Sequence, residues 1–206
     1  MAEKACLSLE NFTAQVELIV HGTTVATNAV LTGGGVKTGL ITTEGFRDIL
    51  EMRRGFREKA YDNKLTPPEP LIARNLRLGV KERITIEGEI DIPLDEDSLN
   101  QAIDSLAREN LESVVVCFMH SYANMAHEQA AKKIIEEKMP DAFLTISSEL
   151  LPQARLYERV STAALNCYVG PVLRKYLSFL SEALDKNGFA GVLLIMESNG
   201  GVATPQ

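Results

Sequence analysis

The apolar, β-branched run Val16-Glu17-Leu18-Ile19-Val20 leads straight into His21-Gly22-Thr23-Thr24-Val25-Ala26-Thr27-Asn28-Ala29, and the change of period predicts a strand, a tight turn and a helix reaching about Leu31. Ser8 to Phe12 reads as a short helix or turn that feeds this strand. Gly33-Gly34-Gly35 ends the helix and permits a left-handed turn into a second strand, Lys37 to Thr42. Thr43 is then placed to cap a helix through Leu50, which sets a βαβα rhythm.

The pattern breaks between Glu51 and Arg77, where Pro67-Pro68-Glu69-Pro70 stiffens an ordered connector. Leu78 to Ile86 and Glu89 to Ile92 alternate across Glu87-Gly88, as in a β-hairpin. A helix opened by acids from Leu94 to Leu99 carries Leu99, Ile103 and Leu106 on one face. The strand Ser113 to Met119 follows, then a helix from about Met125 to Lys138 with Asn124 as its cap, then the strand Phe143 to Ser147. Arg155 to Leu184 predicts one long helix or two meeting at Gly170-Pro171, with Leu156, Val160, Ala164, Cys167, Leu173, Tyr176, Leu177 and Leu180 as the apolar face. Gly191 to Met196 reads as a buried strand ending in Glu197-Ser198-Asn199-Gly200-Gly201.

These elements make an α/β protein with mixed or parallel sheets and flanking helices, a β-hairpin segment and a long C-terminal helix. By element type the chain divides into four stretches: part of a first α/β lobe over 1–52, a loop and hairpin connector over 53–93, a βαβ-like subdomain over 94–147, and the long helix with the start of a second lobe over 148–206. No internal repeat or low-complexity tract interrupts it.

Composition changes little in that picture. Of 206 residues, 45% are apolar and 24% charged, which suits an ordinary globular chain with a core of its own. The formal net charge of −7 and the lack of a basic stripe argue against nucleic acid. No apolar run approaches membrane-spanning length and the start lacks the apolar core of a signal peptide, so a cytoplasmic protein is expected. Cys6, Cys117 and Cys167 are widely spaced and odd in number, as for reduced thiols.

The candidate chemistry gathers at strand ends. A strand–turn–helix junction aims backbone N–H groups and the positive end of a helix dipole into the space beyond the strand, where phosphate or carboxylate can sit. His21, Thr23, Thr24 and Asn28 occupy such a junction, although capping alone also explains the threonines. Arg53, Arg54 and Arg57 offer guanidinium groups for an anion, or pair with Glu51, Glu58 and Asp62. His120 and His127 flank a loop at the carboxyl end of a strand; without HExxH spacing, a structural role is the simpler reading. Cys117 sits in an apolar run and reads as a buried small hydrophobe. The triple glycine lacks the Walker Lys-Ser/Thr and follows a helix, so it reads as a cap.

Five stretches together resemble the hydantoinase A/5-oxoprolinase family: His21 to Ala29, Thr38 to Asp48, His120 to Asn124, Tyr157-Glu158-Arg159 with Ser161-Thr162, and Ser198-Asn199-Gly200-Gly201. The resemblance runs from about Val16 to the end. It implies part of a sugar kinase/Hsp70/actin-like fold and an ATP-linked enzyme, in a group that includes N-methylhydantoinases, 5-oxoprolinases and the ATP-using subunits of acetone and acetophenone carboxylases. The implied reaction opens a cyclic amide through phosphoryl activation of its carbonyl, with the ketone carboxylase subunit or a non-catalytic scaffold of the same fold as alternatives. ATP and Mg would serve the full-length parent, a hydantoinase B-like subunit or domain would be the partner, and the substrate would be a small cyclic amide or ketone.

Family members carry phosphate loops of the form Asp-x-Gly-Gly-Thr-x-Thr-Asp. Neither Gly33 to Gly35 nor Gly200-Gly201, followed by Val202-Ala203, has the acid and threonine that form requires. The chain is therefore expected to be an internal fragment, inactive and without bound nucleotide or metal by itself. Its substrate- or phosphate-facing residues are expected to be His21, Thr23, Thr24 and Asn28, then Arg53, Arg54, His120 and Asn199, with the catalytic residues outside it.

Overall fold

A computed structural model describes residues 8–55, 61–62, 64 and 68–205. The expectations for Cys6, Arg57, Glu58 and Pro67 lie outside the described residues. By contact the chain groups into two units, Met1–Gly35 with Val172–Gln206, and Val36–Pro171. The first draws on both ends of the chain and the second on everything between.

The second unit is built on a parallel sheet. Its strands are β2 (Thr38–Thr43), β3 (Arg77–Val80), β6 (Ser113–Cys117) and β7 (Phe143–Ile146), in the order β3-β2-β6-β7. Val114, Val115, Val116 and Cys117 are all fully buried. Successive side chains on a strand point to opposite faces, so both faces of β6 are covered, as its unbroken apolar run requires. The cover includes Leu99, Ile103 and Leu106 of α4 (Glu96–Ala107), Ala131 and Ile135 of α5 (Ala126–Lys138), and Val160, Ala163, Ala164 and Cys167 of α7 (Leu156–Lys186). Asp95 caps α4, its carboxylate accepting from the N–H groups of Asp97 and Ser98. Two short helices, α3 (Ile49–Met52) and α6 (Ser147–Leu150), and a 3-10 turn at Arg74–Leu76 complete this unit with the antiparallel pair β4 (Arg83–Ile84) and β5 (Ile90–Ile92).

The first unit contains α1 (Leu9–Thr13), β1 (Leu18–His21), α2 (Val25–Leu31), β8 (Val192–Met196) and β9 (Val202–Ala203). β1 runs parallel to β8, with Leu18 opposite Val192 and His21 opposite Ile195, and β9 returns antiparallel on β8. Gly191 lets the two strands close. A Cβ there would run into the carbonyl oxygens of Val16 and Glu17.

Three local expectations change and two open ones resolve. Thr43 does not cap a helix: it ends β2, and a turn separates it from α3. The hairpin is shorter than the alternating run, because Leu78 to Val80 pair with β2 and only Arg83 onward pairs back on itself. Alternation marks a half-buried strand in either setting, so the pattern could not assign the partner. α7 is one helix with Pro171 inside it, and the carbonyl left without an N–H partner does not end it. β8 is not buried, with Val192 53% and Met196 52% exposed. At α2 the hydroxyl that meets the first turn is that of Thr23, whose Oγ1 accepts from Val25 N at 3.3 Å, while Thr24 makes no backbone cap.

Candidate functional site

In the first unit β1 and β8 are parallel neighbours, so the chain leaves both at the same edge of the sheet. His21 is the last residue of β1, and its Nε2 lies 2.7 Å from the Tyr176 hydroxyl, with the two ring centroids 5.8 Å apart. Gly22 follows, with nothing within 4 Å of where a side chain would begin. The next turn is locked by its own side chains: Thr23 binds the Val25 amide, and Asn28 donates Nδ2 to Thr24 Oγ1 at 3.3 Å. After β8, Asn199 shapes the return, donating to Glu197 at 3.0 Å and accepting from Gly201 N at 2.6 Å, while Gly200 takes a φ of 87°. The unit therefore places His21, Thr23, Thr24 and Asn28 after one strand and Asn199 after its neighbour, at the carboxyl edge where open α/β sheets hold ligands.

Arg53, Arg54 and His120 belong to the second unit. Arg53 closes α3 with a φ of 55°, its N–H bonded to the Ile49 carbonyl. Arg54 pairs with Glu158 at 2.6 Å. The carboxyl of Glu158 is held below its ordinary range, first by its own backbone N–H and also by Arg54. His120 also has a φ of 55°, and its Nδ1 lies 3.0 Å from the Ile84 carbonyl. A carbonyl oxygen only accepts, so Nδ1 carries the proton. The Tyr122 ring meets the imidazole edge-on.

The loop that carries His120 rests on buried charge. Phe118 donates its N–H to Glu128 at 2.8 Å and accepts from Arg159 at 2.7 Å. Ser147 links the two ions, donating to Glu128 at 2.7 Å and accepting from Arg159 at 2.9 Å. Ser148 N also donates to Glu128, and Ser121 Oγ accepts from Arg159. Beside this group, Thr43 donates to Glu82 and accepts from Met119 N, and the second Glu82 oxygen lies 2.8 Å from His127 Nδ1. His127 and Glu128 are thus bound to long-range partners, in line with the simpler structural reading. The sequence pattern did not pick out Glu82, Thr43 or Tyr176 for these roles. Arg159 did stand within a motif-bearing stretch, and the function of that position is to hold the Phe118 loop.

Burial pushes the Cys117 thiol up to about 12 and the Cys167 thiol up to about 11, so both are poor nucleophiles near neutral pH. Among the described residues no group of three or more His, Cys, Asp or Glu side chains could hold a metal ion. No described helix is long and apolar enough to cross a membrane.

A sequence profile for the hydantoinase/oxoprolinase N-terminal region matches residues 2–139, and one for hydantoinase/oxoprolinase matches residues 159–206. The chain belongs to the hydantoinase/oxoprolinase family. It is 36% identical to caprolactamase subunit alpha of Pseudomonas jessenii over 92% of its own length and 28% of that protein. It is 31% identical to the acetophenone carboxylase gamma subunit of Aromatoleum aromaticum over 98% of its length and 29% of that subunit. The crystal structure of the ATP-dependent caprolactamase from Pseudomonas jessenii superimposes with a TM-score of 0.93 at 34% identity, covering 99% of this chain and 30% of that one. This chain thus spans less than a third of the length of these relatives. The α/β architecture read from the sequence is confirmed, within an actin-like fold shared with the caprolactamase.

Proposed function

We propose that this chain forms part of an ATP-dependent enzyme that opens a small cyclic amide by activating its carbonyl. The observation that carries the reading is the superposition on the ATP-dependent caprolactamase over 99% of the chain at a TM-score of 0.93. A lactam carbonyl is deactivated by resonance with its nitrogen. Transfer of the ATP γ-phosphoryl to the carbonyl oxygen opens the carbon to water. The adduct breaks its C–N bond, the ring nitrogen leaves as the amine, and the acyl phosphate that remains is hydrolysed by a second water to carboxylate and phosphate. Overall one lactam, one ATP and two waters give one amino acid, one ADP and one phosphate. Positioning and charge stabilisation supply most of the rate in such transfers.

In this reading His21, Thr23, Thr24, Asn28 and Asn199 face substrate or phosphate at the carboxyl edge of β1 and β8. The Tyr176 hydroxyl fixes the His21 ring, and the open space beside Gly22 lets a ligand approach the backbone. Arg53, Arg54 and His120 are second candidates for ligand contact in their own unit. ATP with Mg2+ would serve the full enzyme as co-substrate. The relatives are subunits alpha and gamma, which supports assembly with a partner subunit, and the partner in this reading is hydantoinase B-like. The buried free thiols Cys117 and Cys167 suit a reducing cytoplasm. The acetophenone carboxylase match favours a second reading, the ATP-using subunit of a ketone carboxylase, in which an enol takes the phosphoryl group.

The test is ADP release by the full-length polypeptide with its partner subunit, offered caprolactam, 5-oxoproline, a hydantoin, or acetophenone with bicarbonate. ADP formation coupled to a ring-opened amino acid supports the first reading, and coupling to ketone carboxylation supports the second. If no substrate raises ADP release, the chain is a scaffold of the same fold.

A further inference from the structure

The strand order β3-β2-β6-β7 reverses direction between β2 and β6: the chain leaves β2 for β3 on one side, then crosses to β6 on the other. Ligands in open α/β sheets collect at the carboxyl ends of strands near such a reversal. A cleft of about 310 Å3 opens at the carboxyl ends of β2 and β3, the outer side of this reversal, lined by Thr43, Glu44, Lys81, Glu82, Arg83 and Asp91. That volume is room for about ten water-sized groups.

Its walls are built and carry both signs of charge. Glu44 is tied down by its N–H to the Val80 carbonyl at 2.8 Å, and Gly79 packs so closely that a Cβ there would stand 3.1 Å from Glu44 Cα. Lys81 is anchored on both sides of its backbone, donating to Ser98 Oγ at 3.2 Å and accepting from Asp95 N at 3.0 Å. Arg83 lays its guanidinium over the Phe46 ring, 5.1 Å from the centroid, which fixes the charge without neutralising it. Glu82 is turned inward onto Thr43 and His127. Among the described residues, none of Glu44, Lys81, Arg83 and Asp91 forms an ion pair.

We propose that this cleft binds a small zwitterionic amino acid, its carboxylate on Lys81 and Arg83 and its ammonium on Glu44 and Asp91. Two cations alone would suit a simple anion, but the two acids beside them repel one. A molecule with both charges satisfies all four groups. The site goes beyond the activity proposed above and is read without ATP.

Calorimetric titration of the protein with glycine, 4-aminobutanoate and 6-aminohexanoate at low salt tests it, with hexanoate and hexylamine as single-charge controls. At least one zwitterion is expected to bind at one site, and each control about tenfold or more weaker, since each forgoes charge-assisted contacts. Arg83→Met and Asp91→Asn are each expected to weaken binding about tenfold or more. Asp91 lies on an exposed strand, so its variant keeps the fold if loss of the Phe46 contact disturbs Arg83→Met. The proposal is overturned if no zwitterion binds at millimolar concentration, if a control matches the zwitterion, or if Asp91→Asn binds as the parent does. Because binding is read without nucleotide, lactam-dependent ADP release can persist when this proposal fails, and binding can persist when that activity is absent.

Discussion

Glu128 and Arg159 hold the two polar groups of one residue. The carboxylate takes the Phe118 N–H at 2.8 Å, the guanidinium gives to its carbonyl at 2.7 Å, and both side chains are buried. The loop that follows β6 is thereby fixed, and His120 sits on it with a left-handed backbone that a non-glycine residue adopts only when its surroundings hold it.

Removing one ion leaves the other uncompensated in the core. Arg159→Met is expected to cost about 3–5 kcal/mol. The double variant Arg159→Met with Glu128→Leu is expected to cost less than the two single changes together, because no lone charge remains. Urea unfolding midpoints of the four proteins measure this; an Arg159→Met protein within about 1 kcal/mol of the parent rules out the clamp.

The β1–β8 edge depends on Gly191. An alanine Cβ would meet the carbonyl oxygens of Val16 and Glu17, and these are backbone atoms that cannot step aside. Gly191→Ala is expected to destabilise the first unit by about 1–3 kcal/mol through overpacking. Faster amide exchange at Leu18 to His21 than at Val114 to Cys117, relative to the parent, locates the damage; equal change in both sheets speaks against it.

The two buried thiols set an alkaline limit. Burial first, and the Glu128 charge second, raise Cys117 from 9.0 to about 12. A folded-state value raised above the unfolded one gives stability that is complete below about pH 9 and is lost as pH rises toward about 12. Cys117→Ala is therefore expected to show a shallower alkaline loss of stability than the parent, read from urea unfolding across that range. At pH 8, iodoacetamide followed by peptide mass spectrometry is expected to label Cys117 and Cys167 only after denaturation. Rapid labelling of either in the folded protein contradicts the burial argument.

The His21–Tyr176 contact carries the functional reading of the β1 edge. In the full-length enzyme, Tyr176→Phe is expected to lower kcat/KM about tenfold while changing stability by no more than about 1 kcal/mol, since one hydroxyl is lost and the ring stays. Thr24→Ala is expected to reduce turnover as well, by freeing Asn28. Normal turnover in both variants places the reacting groups elsewhere.

Much of the fold was legible residue by residue. The apolar run at Val114 to Met119 marked a strand with Cys117 buried in it, Leu99, Ile103 and Leu106 marked the inner face of α4, and Gly33 marked the end of α2 with its φ of 67°. The junction from His21 to Asn28 was visible because strand, glycine and threonines follow one another in the chain. Tyr176 was not: it lies far along the sequence, on a helix face where an aromatic residue reads as packing, and only the fold brings its hydroxyl to His21.

The longer helices and the main strands were readable in the chain alone, because periodicity acts between residues a few positions apart, whereas the short α6 and β9 were not. Packing decided which strand Leu78 to Val80 would join, that Thr43 would serve Glu82 and Met119 and not a helix, that Glu82 would meet His127, and that Glu128 and Arg159 would be bridged through Ser147 and Phe118. The physical reason is range. A buried charge is tolerable only beside a partner, and each of these partners is supplied by a different element that packing delivers.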